Sequence, residues 1–266
     1  MTPIPVDDPA DPRLSAYTQM RERDLVGREG RFIAEGEVVL RVLLSGAARF
    51  RIESVLVSPE RLPGLAPALA GLAAPVYVAA KPVMGAVAGF PIHRGVLAVG
   101  LRGPEPDPDA LVPASPALLV GLVGLANHDN VGGLFRNAAA FGADAVLLDA
   151  ETCDPLYRKA IRVSAGTSLT VPFARLPTGD ALLALCERHR LTPLALSPRG
   201  EDIGRLPPLP RALLLLGAEG PGLPEALMAR ARRVAIPMAP GVDSLNVAVA
   251  GAVALHRLGG ERLAPI

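Results

Sequence analysis

Leu213-Leu-Leu-Leu-Gly-Ala-Glu-Gly-Pro-Gly222, followed by Ile236-Pro-Met-Ala-Pro-Gly-Val-Asp-Ser-Leu-Asn-Val-Ala-Val249, is the stretch on which the reading of the chain turns. Four leucines and then Gly217, Gly220 and Gly222 around Glu219 read as a buried strand, a glycine turn and a helix start, with Pro224 at a first helical position. The second segment reads as strand, loop and helix. Asp243 or Ser244 is placed to cap a helix that begins near Leu245 and stops at Gly259. That helix is apolar on nearly every side, through Val247, Ala248, Val249, Ala250, Ala252, Val253 and Leu255, so protein must enclose it. Asn246 inside it stands out, because a buried amide needs hydrogen-bonding partners.

Upstream, Asn127-His-Asp-Asn-Val-Gly-Gly-Leu-Phe-Arg-Asn-Ala-Ala-Ala-Phe-Gly142 supplies a third polar loop between an apolar strand and a helix. Three segments together carry a resemblance: Asn130 with Arg136 six residues on, Leu-Gly-Ala-Glu-Gly around Glu219, and Ser244-Leu-Asn246 after Ile236-Pro-Met. In their order, spacing and apolar surroundings the chain resembles the SpoU (TrmH-type) RNA ribose methyltransferases of the SPOUT superfamily. His128 departs from relatives that often carry proline between the two asparagines, which alters the stiffness of the loop.

Composition bounds the answer. With 266 residues, 50% of them hydrophobic, the chain has material for two domains with filled cores. Apolar runs such as Val247 to Leu255 are far shorter than the roughly 20 residues that span a bilayer. The first twelve residues hold four prolines and three aspartates and lack a secretory pattern, so a cytoplasmic protein is expected. Cys153 and Cys186 stand far apart, without zinc-ligand spacing, and support neither a disulfide framework nor a metal site. A net charge of +1 argues against binding nucleic acid through overall charge, so any such site must come from local clustering. No tryptophan and 3% aromatic residues argue against a base-stacking platform.

Taken in order, residues 1–12 read as a mobile arm and Leu14 to Asp24 as a polar helix. An α/β unit follows, with strands at 32–34, 52–57, 76–79 and 96–101, and helices at 36–44, 65–72 and 83–87. It resembles the ribosomal-protein-like, RNA-recognising domain that precedes many SpoU catalytic domains, through Arg31-Phe-Ile-Ala-Glu-Gly36 and His93-Arg-Gly-Val-Leu-Ala98. Between Arg13 and Arg51 eight arginines face five acids; they suit phosphate contacts, or simply a solvated surface. Five prolines in residues 103–116 mark an extended linker, so the domains are drawn as 13–102 and 117–266. In the second, strands at 117–123, 145–148, 169–173 and 193–196 put the polar loops at carboxyl ends of strands, where α/β sheets collect ligands. A helix over 154–164 places Arg158 and Arg162 one turn apart beside Lys159, a basic face near the motifs for RNA or for solvent. Residues 168–211 carry no chemical signal of their own.

The resemblance implies an α/β SPOUT domain with a C-terminal trefoil knot, S-adenosylmethionine as cofactor, an RNA substrate, and a homodimer that shares its active sites. It places Gly217, Ile236 and Leu245 around the cofactor and assigns catalysis to Arg136, with Asn130, Glu219, Ser244 and Asn246 completing the site. The implied reaction is attack of a ribose 2′-hydroxyl on the sulfonium methyl, an in-line displacement assisted by positioning. Arg136 suits a grip on the adjacent phosphate and is awkward as a base, since its pKa lies above about 12. Asn130, Ser244 and Asn246 also have a plainer reading as caps and loop ties. Three other readings are a non-catalytic RNA-binding protein with a vestigial pocket, a methyltransferase for base nitrogen, and a nucleotide-binding enzyme. Against the last, the lysine of a phosphate-binding loop is missing.

Overall fold

The computed structural model of the chain describes residues 2–18 and 22–260. It divides into two units, residues 1–104 with 156–170, and residues 105–155 with 171–266. The first holds β1 (Ile4–Pro5), α1 (Glu22–Gly27), β2 (Arg31–Glu35), α2 (Glu37–Leu43), β3 (Arg51–Val57), α3 (Leu62–Leu69), β4 (Val76–Val78), α4 (Lys81–Ala88) and β5 (Val96–Leu101). Its mixed sheet runs β1-β4-β3-β5-β2, parallel from β1 to β3 and antiparallel at β3-β5 and β5-β2.

The expected N-terminal arm is corrected. Ile4 and Pro5 add an edge strand to β4, Val6 is buried, and a 3₁₀ turn over Pro12–Tyr17 plugs Leu14 and Tyr17 into the core. Tyr17 and Ser54 share a buried hydroxyl hydrogen bond of 2.7 Å. Of the polar helix expected over 14–24, residues 19–21 lie outside the described residues, and α1 accounts for its end.

The second unit contains β6 (Ala117–Val123), α5 (His128–Ala140) and β7 (Ala145–Leu148). The chain then contributes α6 (Arg158–Val163) to the first unit and resumes with β8 (Phe173–Arg175), α7 (Gly179–His189), β9 (Thr192–Asp202), β10 (Arg211–Gly217), α8 (Glu225–Met228), β11 (Arg232–Ala235) and α9 (Val247–Gly259). So Leu156–Thr170 does not join the sheet that carries the polar loops, and the strand read at 169–173 is Phe173–Arg175. The linker is held as well. Asp109 accepts from Arg188 at 2.9 Å and meets His189 Nε2 at 2.6 Å, while Arg211 donates to the Pro113 carbonyl at 2.9 Å.

All six strands of this sheet are parallel, in the order β11-β9-β10-β6-β7-β8. A parallel sheet covered on both faces needs apolar residues at every position rather than at alternate ones, and β6 and residues 212–217 of β10 are buried throughout. Register aligns Gly217 with Val123, so the loops that leave β10 and β6 start side by side. Close packing of α9 on α5 completes the arrangement. A Cβ on Gly133 would lie 3.0 Å from that of Ala248, one on Gly251 2.4 Å from Leu134, and Asn137 donates to the Ala248 carbonyl at 2.7 Å. Among the described residues no helix is long and apolar enough to cross a membrane.

Candidate active site

Asn127, not Asn130, caps α5: its side-chain oxygen accepts from the Asp129 amide at 2.8 Å. This frees Asn130, one turn in and 4% exposed, to point its amide elsewhere. Asn130 Nδ2 donates to Glu219 Oε1 at 2.5 Å. Asn246 Nδ2 donates to Asn130 Oδ1 at 2.9 Å and to the same Glu219 oxygen at 3.3 Å.

Asn246 is the N-cap of α9 rather than a residue inside it, and neither Asp243 nor Ser244 takes that place. Its Oδ1 accepts from the amides of Ala248 at 2.9 Å and Val249 at 3.3 Å. These contacts orient the whole cluster. Free helix amides only donate, so they claim the Asn246 oxygen and turn its NH₂ group toward Asn130. Asn130 then accepts with its oxygen and donates with its nitrogen, and a Glu219 carboxylate oxygen, which accepts from both amides, ends the chain.

Beside this cluster lies a cavity of about 650 Å³ in the second unit. Its walls include Gly217 and Glu219 after β10, Ile236 and Met238 after β11, and Ser244, Leu245 and Asn246 before α9. All three residues expected around a cofactor therefore line one space. Gly217 is needed for a reason other than ligand approach, since a Cβ there would fall 2.3 Å from the backbone of Gly222 and Leu223. The turn folds back on its own strand. Gly220 has open space but a φ of 84°, which favours glycine.

Arg136 sits on the exposed side of α5, is not among the residues lining the cavity, and makes no side-chain hydrogen bond or ion pair with a described residue. Glu219 thus holds two amides rather than this guanidinium. Ser244 is exposed on the cavity wall.

Arg158, Lys159 and Arg162, expected as a basic face for RNA, and Arg31, expected among the arginines to contact RNA phosphate, all belong to the first unit. Arg158 donates to Glu35 at 3.1 Å and stacks on the Phe90 ring at 3.9 Å, so packing and an acid partner already hold it. Arg31 donates to Glu53 at 2.8 Å and to Glu29 at 3.2 Å, and the bond to Glu53 is the main cause raising its pKa. Lys159 and Arg162 are exposed on α6. Segment 196–199, read as chemically silent, forms a cavity wall together with Met228. It looks like ordinary strand, and only Pro198 and Gly200 hinted at an interruption.

Residues 117–256 match a family model described as the SpoU rRNA Methylase family. A protein of Mycobacterium bovis named as a tRNA/rRNA methyltransferase is 40% identical over 262 residues, covering 94% of this chain and 90% of that one. Another of that name, from Synechocystis, is 28% identical over 252 residues, covering 92% of this chain and 90% of its own. Among solved structures, an AdoMet-bound rRNA methyltransferase from Sinorhizobium meliloti superposes with a TM-score of 0.84 over 98% of this chain and 99% of that one. At 21% identity the likeness is one of fold. An RNA 2′-O ribose methyltransferase superposes with a TM-score of 0.81 at 27% identity, over 97% of this chain and 99% of the other.

Proposed function

The chain belongs to the SpoU rRNA Methylase family, and from that premise we propose that it is an S-adenosylmethionine-dependent RNA methyltransferase whose acceptor is a ribose 2′-hydroxyl, in ribosomal rather than transfer RNA. The observation that carries this reading is the closed contact of Asn130, Glu219 and Asn246 at the edge of the cavity. Polar residues from the first turn of α5, the loop after β10 and the N-cap of α9 converge there, and a vestigial pocket has no need of such an arrangement.

Residues of the cavity fit the cofactor. About 650 Å³ lies within the roughly 300–1,000 Å³ of small-molecule sites. Leu216, Leu223, Ile236, Leu245 and Val247 offer apolar walls for a purine ring, and the backbone around Gly217 offers hydrogen bonds. When bound, S-adenosylmethionine supplies a methyl group on a positively charged sulfur. What the protein adds is position: Glu219 and the two amides pin the loops of β6 and β10 to the start of α9. Arg136 grips the phosphate beside the target ribose with its two-pronged guanidinium and leaves proton removal to another acceptor.

Because Arg136 stands outside the cavity of its own chain, the reading includes a homodimer in which a second copy brings it to the rim. In support, Leu245, Val249 and Val253 expose apolar side chains, 40%, 51% and 43% accessible, on and just before α9. The trefoil knot belongs to the same reading. It is supported by the segment 236–246 bordering the loop after β10 before α9 returns to α5. The N-terminal unit is the RNA-recognition domain, with Lys159 and Arg162 exposed on α6.

The test is transfer of labelled methyl from S-adenosylmethionine to unmodified total RNA by wild type and Arg136→Ala, with nucleoside analysis of size-separated RNA. A 2′-O-methylnucleoside in ribosomal RNA, lost in the variant, is the expected result. Methylated base overturns the ribose assignment, and no transfer to any RNA favours a binding protein.

A further inference from the structure

In the ladder between β9 and β11, Arg233 pairs with Ala195 while the next residue, Val234, pairs with Glu201. The segment Leu196-Ser-Pro-Arg-Gly200 is therefore looped out of β9 with no residue of β11 opposite it. Such a bulge gives up ladder hydrogen bonds and bends its strand, and bulges occur next to active sites, where they re-aim a side chain. Gly200 closes the neck: a Cβ there would fall 2.7 Å from the carbonyl carbon of Arg233 and the nitrogen of Val234, so the backbones touch. Ser197 Oγ accepts from the Arg199 amide at 3.3 Å and tightens the turn. The outcome is a wall of the cavity made of Leu196, Ser197, Pro198 and Arg199.

Among the described residues that line the cavity, Arg199 is the one cation and Glu219 the one anion. Glu219 is engaged by Asn130 and Asn246. The Arg199 guanidinium, by contrast, makes no hydrogen bond or ion pair with any described residue. A planar, permanently charged donor set on a pocket wall, without an acid of its own, suits a planar anion such as a carboxylate. We propose that Arg199 binds the α-carboxylate at the methionyl end of the cofactor, and that the looped-out wall thereby selects the intact cofactor over truncated adenosine analogues. This inference rests on the S-adenosylmethionine reading given above. It places the amino-acid end of the cofactor at the bulge, on the same cavity as Gly217, Ile236 and Leu245.

The experiment measures dissociation constants by calorimetry for S-adenosylmethionine, S-adenosylhomocysteine and 5′-methylthioadenosine, which keeps the adenosine and the sulfur but lacks the amino acid. Wild type, Arg199→Ala and Arg199→Lys are compared. Expected is a loss of about tenfold or more for the first two ligands in Arg199→Ala, the worth of one charge-assisted hydrogen bond, with unchanged binding of 5′-methylthioadenosine and partial recovery in Arg199→Lys. Retained binding of the truncated ligand also shows that the pocket has formed. Unchanged affinity for S-adenosylhomocysteine, with a raised KM for RNA, overturns the inference and gives Arg199 to an RNA phosphate. An equal loss for all three ligands overturns it too, by showing a wall that shapes the pocket without reading the carboxylate. Failure of wild type to bind any of the three sinks the cofactor reading itself, and is seen before a variant is made.

Discussion

Asn130 Nδ2 meets Glu219 Oε1 at 2.5 Å although 89 residues separate the two in sequence. The contact exists because β6 and β10 are neighbours whose last residues, Val123 and Gly217, share a register position. Replacing Glu219 with alanine strands a nearly buried amide, which costs about 1–3 kcal/mol. Urea unfolding of Glu219→Ala should show this as a lower midpoint. An unchanged midpoint would mean that the Asn130 amide has another acceptor.

Asn246 performs two tasks, capping α9 and bridging to Asn130, and two substitutions separate them. Serine can cap but cannot reach across, so Asn246→Ser should lose only the bridge, which takes the donor from the nearly buried Asn130 oxygen at a cost of about 1–3 kcal/mol, whereas Asn246→Ala loses about 1 kcal/mol more with the cap. Methyl transfer should fall in both variants. Full activity in Asn246→Ser would remove the bridge from the mechanism.

Two glycines in one turn differ in kind. Gly217→Ala drives a methyl into the backbone of Gly222 and Leu223, and a loss of about 3 kcal/mol or more, or failure to fold, is expected. Gly220→Ala meets open space and pays only for its positive φ, about 1–2 kcal/mol. Thermal melts of both variants check the order, which a reversed ranking would contradict.

Burial pushes the thiols of Cys153 and Cys186 up to about 12. The thiolate is the reactive form, so at pH 8 about one thiol in ten thousand is available in the folded protein. Alkylation at pH 8 should be slow in the native protein and fast in denaturant. The sign for stability follows: the unfolded thiols ionise near 8.5, so this contribution is whole below that pH and is lost as pH rises toward about 12. Rapid native alkylation at pH 8 would contradict the burial.

Val249 and Val253 lie one turn apart on α9 and both are exposed. If a second copy covers them, Val249→Asp with Val253→Asp yields a monomer by light scattering that still binds S-adenosylmethionine but no longer methylates RNA. A wild-type monomer at micromolar concentration would rule the dimer out.

Strand identity in the second unit could be read locally. The apolar runs at 117–123, 145–148 and 213–216 became buried strands because a sheet covered on both faces demands apolar side chains without a break, and composition records that directly. Glycine turns and asparagines marked the loops for the same kind of reason. Capping was harder to read. Asn127 and Asn246, rather than Asn130 and Asp243 or Ser244, take the cap positions, because a cap depends on where the backbone leaves its loop, and each loop offered several suitable side chains.

Residue types, their order and the apolar pattern were thus set by the chain alone, down to the three polar loops that carry the family's motifs. Which of those residues touch was settled by tertiary contacts. Glu219 takes Asn130 and Asn246 and leaves Arg136 outside, Arg158 goes to Glu35 and Phe90, and 196–200 swings out to become a wall. Such pairings span separations as long as 123 residues and follow from strand order and register, which are global properties of packing and have no local imprint in the sequence.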